Sequence, residues 1–177
     1  MPASIRIIPL GDIDSDVLDE VGAALTRAFG AAVTIGESQP TPKYAFSPYV
    51  HQFSAPIIVH KLATTHDASG AKTLGVIAFD LFAPQTNYVF GEAQVGGEVA
   101  VISLYRLLEL DRHVYFERAA KEAIHEIGHT FGLGHCDDDV CVMHFSHTIE
   151  DTDVKTSEFC TTCRVILDRV IALGEAT

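Results

Sequence analysis

The chain is short of positive charge. Its 12 Lys and Arg stand against 24 Asp and Glu, a formal net charge of -12 over 177 residues. A phosphate backbone is bound through a Lys/Arg surface, so no nucleic-acid partner is expected at this balance. No apolar run approaches the roughly 20 residues that span a bilayer, and no membrane partner is expected either. The start, MPASIRIIPLGDIDSD, has one Arg and a short apolar stretch that runs straight into acids. It lacks the long apolar centre of a secretory signal, so a cytoplasmic location is expected. Repeats, low-complexity tracts and Pro/Gly/Ser-rich linkers are missing too, and the length suits one domain of ordinary size. Cysteine is scarce, with four residues. In a reducing compartment, free or metal-bound thiols are expected rather than disulfides. With 47% hydrophobic and 20% charged residues, the chain buries a core and is not disordered.

What is present reads as alternating strands and helices. Ser4 to Pro9 is a first strand, and Asp14 or Ser15 caps a helix whose apolar stripe (Val17, Leu18, Val21, Leu25, Ala28, Phe29) ends at Gly30. Val33 to Ile35, Leu74 to Leu81, Tyr88 to Val95 (with Gly91 inside it) and Val99 to Leu104 read as strands. Residues 36–72 are broken by Pro40, Pro42 and Pro48, with a helix expected over about 51–64. The sum is an α+β, α/β/α-like fold with a mixed sheet. A long helix is expected from Asp111 to Phe131. With Phe116 at zero on its wheel, Ala120, Ala123, Ile124, Ile127 and Phe131 fall within about 80°, while His125 and His129 fall at about 180° and 220°. The stripe packs on the sheet and the histidines face a cleft. A last helix from Ser157 to Leu173 has Phe159, Cys163, Ile166 and Val170 as its stripe.

Residues 125–135 read HEIGHTFGLGH. Two histidines four apart on a helix project side by side and suit one Zn²⁺. Glu126 reaches the metal's water without binding the metal. Gly132 lets the backbone turn off the helix axis, so that His135 swings back as a third ligand. Three neutral imidazoles leave a fourth position open for water, which zinc acidifies. Glu126 is then the general base, later returning the proton to the leaving amine.

The extended pattern HExxHxxGxxH resembles the metzincin clan of zinc metallopeptidases. With Cys136 directly after His135, then CxM (Cys141, Met143) and CxxC (Cys160, Cys163), the chain closely resembles the archaemetzincins. The likeness extends to KEAIHEIGHTFGLGHC, to PLG near the start and to DLFAP and NYVFGEAQVGG in the middle. It implies a metzincin-type fold with a mostly parallel mixed sheet, a long active-site helix and a small C-terminal lobe. It also implies Met143 as a hydrophobic floor in a Met-containing turn. Finally, it implies a second, structural zinc on Cys136, Cys141, Cys160 and Cys163, hence two Zn²⁺ per chain. Four soft ligands with no open position suit such a site, although four reduced thiols remain an alternative. The expected organisation is a single metallopeptidase domain, with residues 1–134 holding sheet and helix and 135–177 stapled by the four-cysteine site.

Some positions depart from relatives of this clan. Phe145 stands where some metzincins carry a Tyr two residues after the Met, and no removable prodomain is expected ahead of the first strand. Arg118 and Glu122 read as a solvated helix face, with support of a ligand histidine as the other option for Glu122. His144 and His147 read as exposed, and Asp137 to Asp139 as a solvated turn. Phe90 to Gly97 is either an ordinary edge strand or one that pairs with an extended peptide. The expected function is zinc-dependent hydrolysis of a peptide or protein substrate by a monomer. The alternative is a two-zinc protein-interaction module with a silent three-histidine site.

Overall fold

The computed structural model describes residues 4–65 and 70–175. Strand β1 (Ser4–Leu10) leads to helix α1 (Ser15–Phe29). The Asp14 carboxylate caps that helix by accepting from the N–H of Asp16 at 2.9 Å, and Gly30 ends it in a left-handed conformation. Then come β2 (Ala32–Ile35), β3 (Phe46–Ser47), β4 (Gln52–Ser54), α2 (Ala55–Thr65) and β5 (Lys72–Ile77). They are followed by β6 (Leu81–Phe82), β7 (Gly91–Ala93), β8 (Val99–Ser103), α3 (Arg112–Thr130), α4 (Ile149–Val154) and α5 (Thr161–Glu175).

The main sheet has the order β2-β1-β5-β8-β7, parallel throughout except for β7, which runs antiparallel to β8 at the edge. A smaller sheet, β3-β4-β6, stands beside it. Side chains of a strand alternate between faces, and here each face finds a helix layer. Ile5, Ile7, Leu74, Val76, Ala100 and Ile102 turn toward α1 and α3. Leu10, Ile77, Val99 and Val101 turn toward α2 and the small sheet. The expected α/β/α layering and mostly parallel sheet are what the fold has.

Several boundaries differ from expectation. The strand read through Leu81 stops at Ile77, and its apolar tail becomes β6 of the second sheet. Only Gly91 to Ala93 of the Tyr88–Val95 segment pair with β8. The helix read over about 51–64 starts at Ala55, after a short strand. The unread irregular stretch is thus partly regular, and its residues 66–69 lie outside the described residues. The terminal helix begins at Thr161, and α4 precedes it, started by a capping box between Thr148 and Asp151. On α5 the buried positions are Cys163 and Leu167, while Ile166 and Val170 are exposed, so the inward face is rotated from the expected stripe.

The largest correction concerns α3. The helix is buried on both sides from Arg118 to Thr130. Its apolar side packs on the sheet and α1, and its polar side is covered by the chain after His135. Arg118 and Glu122 are therefore not solvated. Arg118 forms a two-pronged ion pair with Asp153, both bonds at 2.7 Å. Lys121 donates to the Thr152 carbonyl at 3.2 Å. Glu122 meets the ammonium of Lys155 at 2.9 Å, with Lys155 fully enclosed. Charged groups so placed are tolerated because each is paired.

Candidate active site

The end of α3 and the two turns after it bring His125, His129 and His135 together. Their candidate ligand nitrogens all lie within 4.8 Å of one another. His125 donates from Nδ1 to the carbonyl of Val142, and His129 from Nδ1 to the carbonyl of Leu133, each at 2.8 Å. A carbonyl only accepts, so in both rings the proton sits on Nδ1 and the lone pair on Nε2. Those two Nε2 atoms face each other at 3.1 Å. Two lone pairs so close repel unless a cation lies between them. A tetrahedral zinc with bonds of about 2.05 Å asks for nitrogen separations of about 3.3 Å, and the pair fits it. Burial pushes the imidazoles of His125, His129 and His135 below their ordinary value, His125 furthest, which keeps them neutral. Gly132, at φ 86°, provides the left-handed turn off α3. His135 returns to the site at its exposed rim, its ring stacked near that of His125 with centroids 5.4 Å apart.

Glu126 is buried beside this cluster. Burial pushes its carboxyl well above the ordinary range, and the neighbouring Glu122 adds to the rise. The edge strand crosses directly over it. A β-carbon on Gly91 would stand 2.6 Å from Glu126 Oε1, so glycine lets the strand backbone lie this close without displacing the carboxylate. Past β7, the N–H of Gly96 donates to the His129 carbonyl at 2.9 Å. The far end of the edge strand is thus tied to α3, and among the described residues its outer backbone edge has no sheet neighbour.

Below the histidines lies a tight turn, Cys141 to His144, closed by a bond from the His144 N–H to the Cys141 carbonyl at 2.9 Å. Met143 in that turn is fully buried. Its carbonyl accepts from the N–H of Cys136 at 3.0 Å, which links the turn to the strand of chain carrying His135.

Cys136, Cys141, Cys160 and Cys163 form a second cluster, their sulfurs all within 4.8 Å of one another and none joined in a disulfide. Cys136 and Cys160 stand 3.8 Å apart, Sγ to Sγ. Zinc–sulfur bonds of about 2.3 Å in a tetrahedron give about 3.8 Å for that edge. The N–H of Cys160 donates to Cys141 Sγ at 3.3 Å. The N–H of Cys163 pulls the Cys160 thiol below its ordinary value, as the first turn of a helix does. Burial pushes the Cys141 and Cys163 thiols up. The donor set fits a closed metal site.

A cavity of about 250 Å³ opens next to His125 and Glu126, between the β7 approach and the chain after Met143. Phe145, exposed, lies between His135, against which its ring is tilted, and His147, which it meets edge to face, and His147 is exposed as expected. His144 is not: it is half-buried, with Nδ1 donating to the Cys136 carbonyl at 2.9 Å. Asp137 to Asp139 form the exposed turn that was expected. Sequence reasoning missed Lys155, because nothing around it signals that a lysine after a six-residue helix is enclosed.

Comparison with known proteins places these features in company. Residues 41–169 match peptidase family M54. An archaemetzincin from Haloquadratum walsbyi is 38% identical over 172 residues, covering 92% of this chain and 98% of that one. The crystal structure of archaemetzincin from Methanopyrus kandleri superposes with a TM-score of 0.89 at 33% identity, covering 96% of each chain. A zinc-dependent peptidase from Methanocorpusculum labreanum gives a TM-score of 0.85 at 28% identity, covering 93% of this chain and all of that one.

Proposed function

The chain belongs to peptidase family M54, the archaemetzincins, and from that membership we propose that it hydrolyses peptide bonds at a zinc held by His125, His129 and His135. The observation that carries this reading is the pair of Nε2 atoms facing at 3.1 Å, with both Nδ1 protons committed to carbonyls. When bound, zinc supplies Lewis acidity that acidifies water and polarises the scissile carbonyl. Glu126 takes the proton of the attacking water as a C–O bond forms, then gives it to the amine as the C–N bond breaks. Its raised carboxyl pKa suits a group that must accept and release a proton. The outer edge of β7 offers N–H and C=O groups to an extended peptide, a strand-addition mode that holds the scissile bond over the site. Phe145 has no hydroxyl to offer a developing oxyanion, and that of Tyr88 is engaged with the His147 carbonyl at 2.8 Å.

The rest of the reading follows from the second cluster. Cys136, Cys141, Cys160 and Cys163 hold a structural zinc, giving two Zn²⁺ per chain, and Met143 is the floor of a Met-containing turn. Residues 1–177 act as one domain, in which the segment 135–177 is docked on α3 by the Arg118–Asp153 and Glu122–Lys155 pairs. The protein works as a cytoplasmic monomer on peptide or protein substrates.

Peptide-library cleavage by the native chain and by Glu126→Gln, with zinc counted in both, tests the activity. Cleavage by the native chain alone, at equal zinc, is the expected result. Two zincs in both proteins and no cleavage by either would instead favour a two-zinc interaction module.

A further inference from the structure

We propose that the hydrogen bond between Tyr88 and His147 is a crossbar over the peptide path. It limits the substrate to about three residues on one side of the scissile bond, and so makes Tyr88 the residue that sets substrate length. The inference rests on the peptidase reading and adds to it the class of substrate, a peptide cut close to one of its ends.

The position of the bond comes first. The cavity beside His125 and Glu126 has two walls, residues 86–91 leading into β7 and residues 145–147 after Met143. Tyr88 belongs to one wall and His147 to the other. The Tyr88 hydroxyl donates to the His147 carbonyl at 2.8 Å, so the two walls are joined across the space between them. A peptide paired with the outer edge of β7 and continuing past Gly91 toward Tyr88 meets that bond. Gly91 marks the level of Glu126, because a β-carbon there would stand 2.6 Å from Glu126 Oε1. Tyr88 precedes it by three residues, and a stretch of that length spans at most about 10 Å. The N–H of His147 donates to Asp151 Oδ2 at 2.9 Å. Both main-chain groups of His147 are thus engaged within the chain.

The bar is firmly built. Tyr88 is half-buried. The Arg106 guanidinium lies over its ring, 3.9 Å from the centroid, and Phe90 meets the ring edge to face at 5.5 Å. Arg106 is itself set by a two-pronged pair with Asp80, at 2.8 and 2.7 Å. Gln52 donates to Asp80 Oδ2 and to the carbonyl of Asn87, the residue before Tyr88, both at 2.9 Å. Residues from β4, from the turn between β5 and β6 and from the end of β8 therefore converge on one side chain. Gln52, Asp80 and Arg106 do not line the cavity, and the hydrolysis described above uses none of them. What they hold in place is the Tyr88 ring. Across the gap, the His147 ring meets Phe145 edge to face at 4.5 Å.

A short peptide stops before the bar and leaves it intact. A longer one must break the bond and swing the ring from under Arg106. A bond that merely tied two surface segments together would carry no such dependence on length.

The test uses the zinc-loaded full chain and a peptide series with one cleaved bond, lengthened one residue at a time at either end. Cleavage is followed by mass spectrometry. Lengthening at one end should leave kcat/KM flat. At the other it should lower kcat/KM by at least about tenfold once the peptide passes the bar. Tyr88→Phe keeps the ring and loses the bond, and should raise the long-to-short ratio by about fivefold, the worth of one hydrogen bond. Tyr88→Ala removes the bar and should bring the ratio to about one. Anisotropy of labelled long and short peptides on the Glu126→Gln chain should show the same preference in binding, and adding Tyr88→Ala should abolish it. Equal tolerance of both ends in the native chain, or a limit that Tyr88→Ala leaves intact, overturns the proposal. A length limit in binding that Tyr88→Ala relieves, with no cleavage by the native chain, supports the crossbar and defeats the peptidase reading. Cleavage without a length limit does the opposite.

Discussion

The sulfur of Met143 sits where a side chain at position 128 would have to be: a β-carbon on Gly128 would stand 2.5 Å from Met143 Sδ. Gly128 lies between His125 and His129, so the helix carrying both histidines and the turn beneath it touch at this point. The same turn offers the Val142 carbonyl to His125 and the Met143 carbonyl to Cys136. Gly128→Ala should therefore cost about 1–3 kcal/mol by overpacking, and loosen the hold on His125. Gly134→Ala, where a β-carbon meets nothing within 4 Å, should stay within about 0.5 kcal/mol of the native chain. Urea unfolding of both variants at full zinc load makes the comparison, and equal midpoints would remove the contact from the account.

Cys136 directly follows His135, so the two clusters share a segment of backbone. If each holds one zinc, Cys160→Ser should lower the zinc content from two per chain to about one. His129→Ala should remove the other ion and leave the four-cysteine ion in place. Loss of a structural zinc also removes folding free energy, because the unfolded chain offers no preformed site. The thermal midpoint should then fall more for Cys160→Ser than for His129→Ala. Zinc content that Cys160→Ser leaves unchanged would sink the structural site.

The layers and the histidine cluster were legible because they follow from period and spacing. The stripe of α1, the continuous apolar runs of the buried parallel strands, and the four-residue step between His125 and His129 all express geometry local to the chain. Boundaries were less legible where the same local pattern serves two sheets, as when the apolar run through Leu81 is divided between β5 and β6. On the polar face of α3 the histidines could be read, but the burial of the charges before them could not. Arg118, Lys121 and Glu122 look like a wet surface in sequence. Their partners Thr152, Asp153 and Lys155 lie some thirty residues away and are brought in only by the fold. A buried ion pair has no periodic signature, since each half resembles an ordinary exposed charge.

The Arg118–Asp153 pair predicts a dependence on acid. The side-chain bonds from Arg118 hold the Asp153 carboxyl below its ordinary value of 3.8. The unfolded chain therefore binds this proton more readily than the folded one as the pH falls. The contribution is complete above the unfolded value, and declines as the pH drops through the ordinary value toward the lower folded one. Arg118→Met should lose this part of the dependence. Urea midpoints at pH 6 and pH 3.5 should show the native chain losing more than the variant, relative to each protein's own value at pH 6. A gap between the two proteins that is the same at both pH values would mean that the pair has no proton linkage.

Gly91 tests how the edge strand and Glu126, the proposed base, depend on each other. A β-carbon there would stand 2.6 Å from Glu126 Oε1 and 2.7 Å from its Cδ, so Gly91→Ala must displace either the carboxylate or the strand by about 1 Å to reach ordinary contact. If the carboxylate yields, proton transfer suffers while the peptide still pairs with β7. Then kcat falls by about 10²-fold with KM little changed. If the strand yields, the peptide loses its register and KM rises instead. The β7 backbone is tied to β8 by antiparallel pairing, and its far end to the His129 carbonyl through Gly96, whereas the Glu126 carboxylate ends a side chain with rotatable bonds. The carboxylate is thus the part that moves, and the expected signature is a fall in kcat at unchanged zinc content. Steady-state kinetics with metal analysis on the same preparation decide it. A variant with native kcat would mean that Glu126 is not held by the edge strand in the working enzyme.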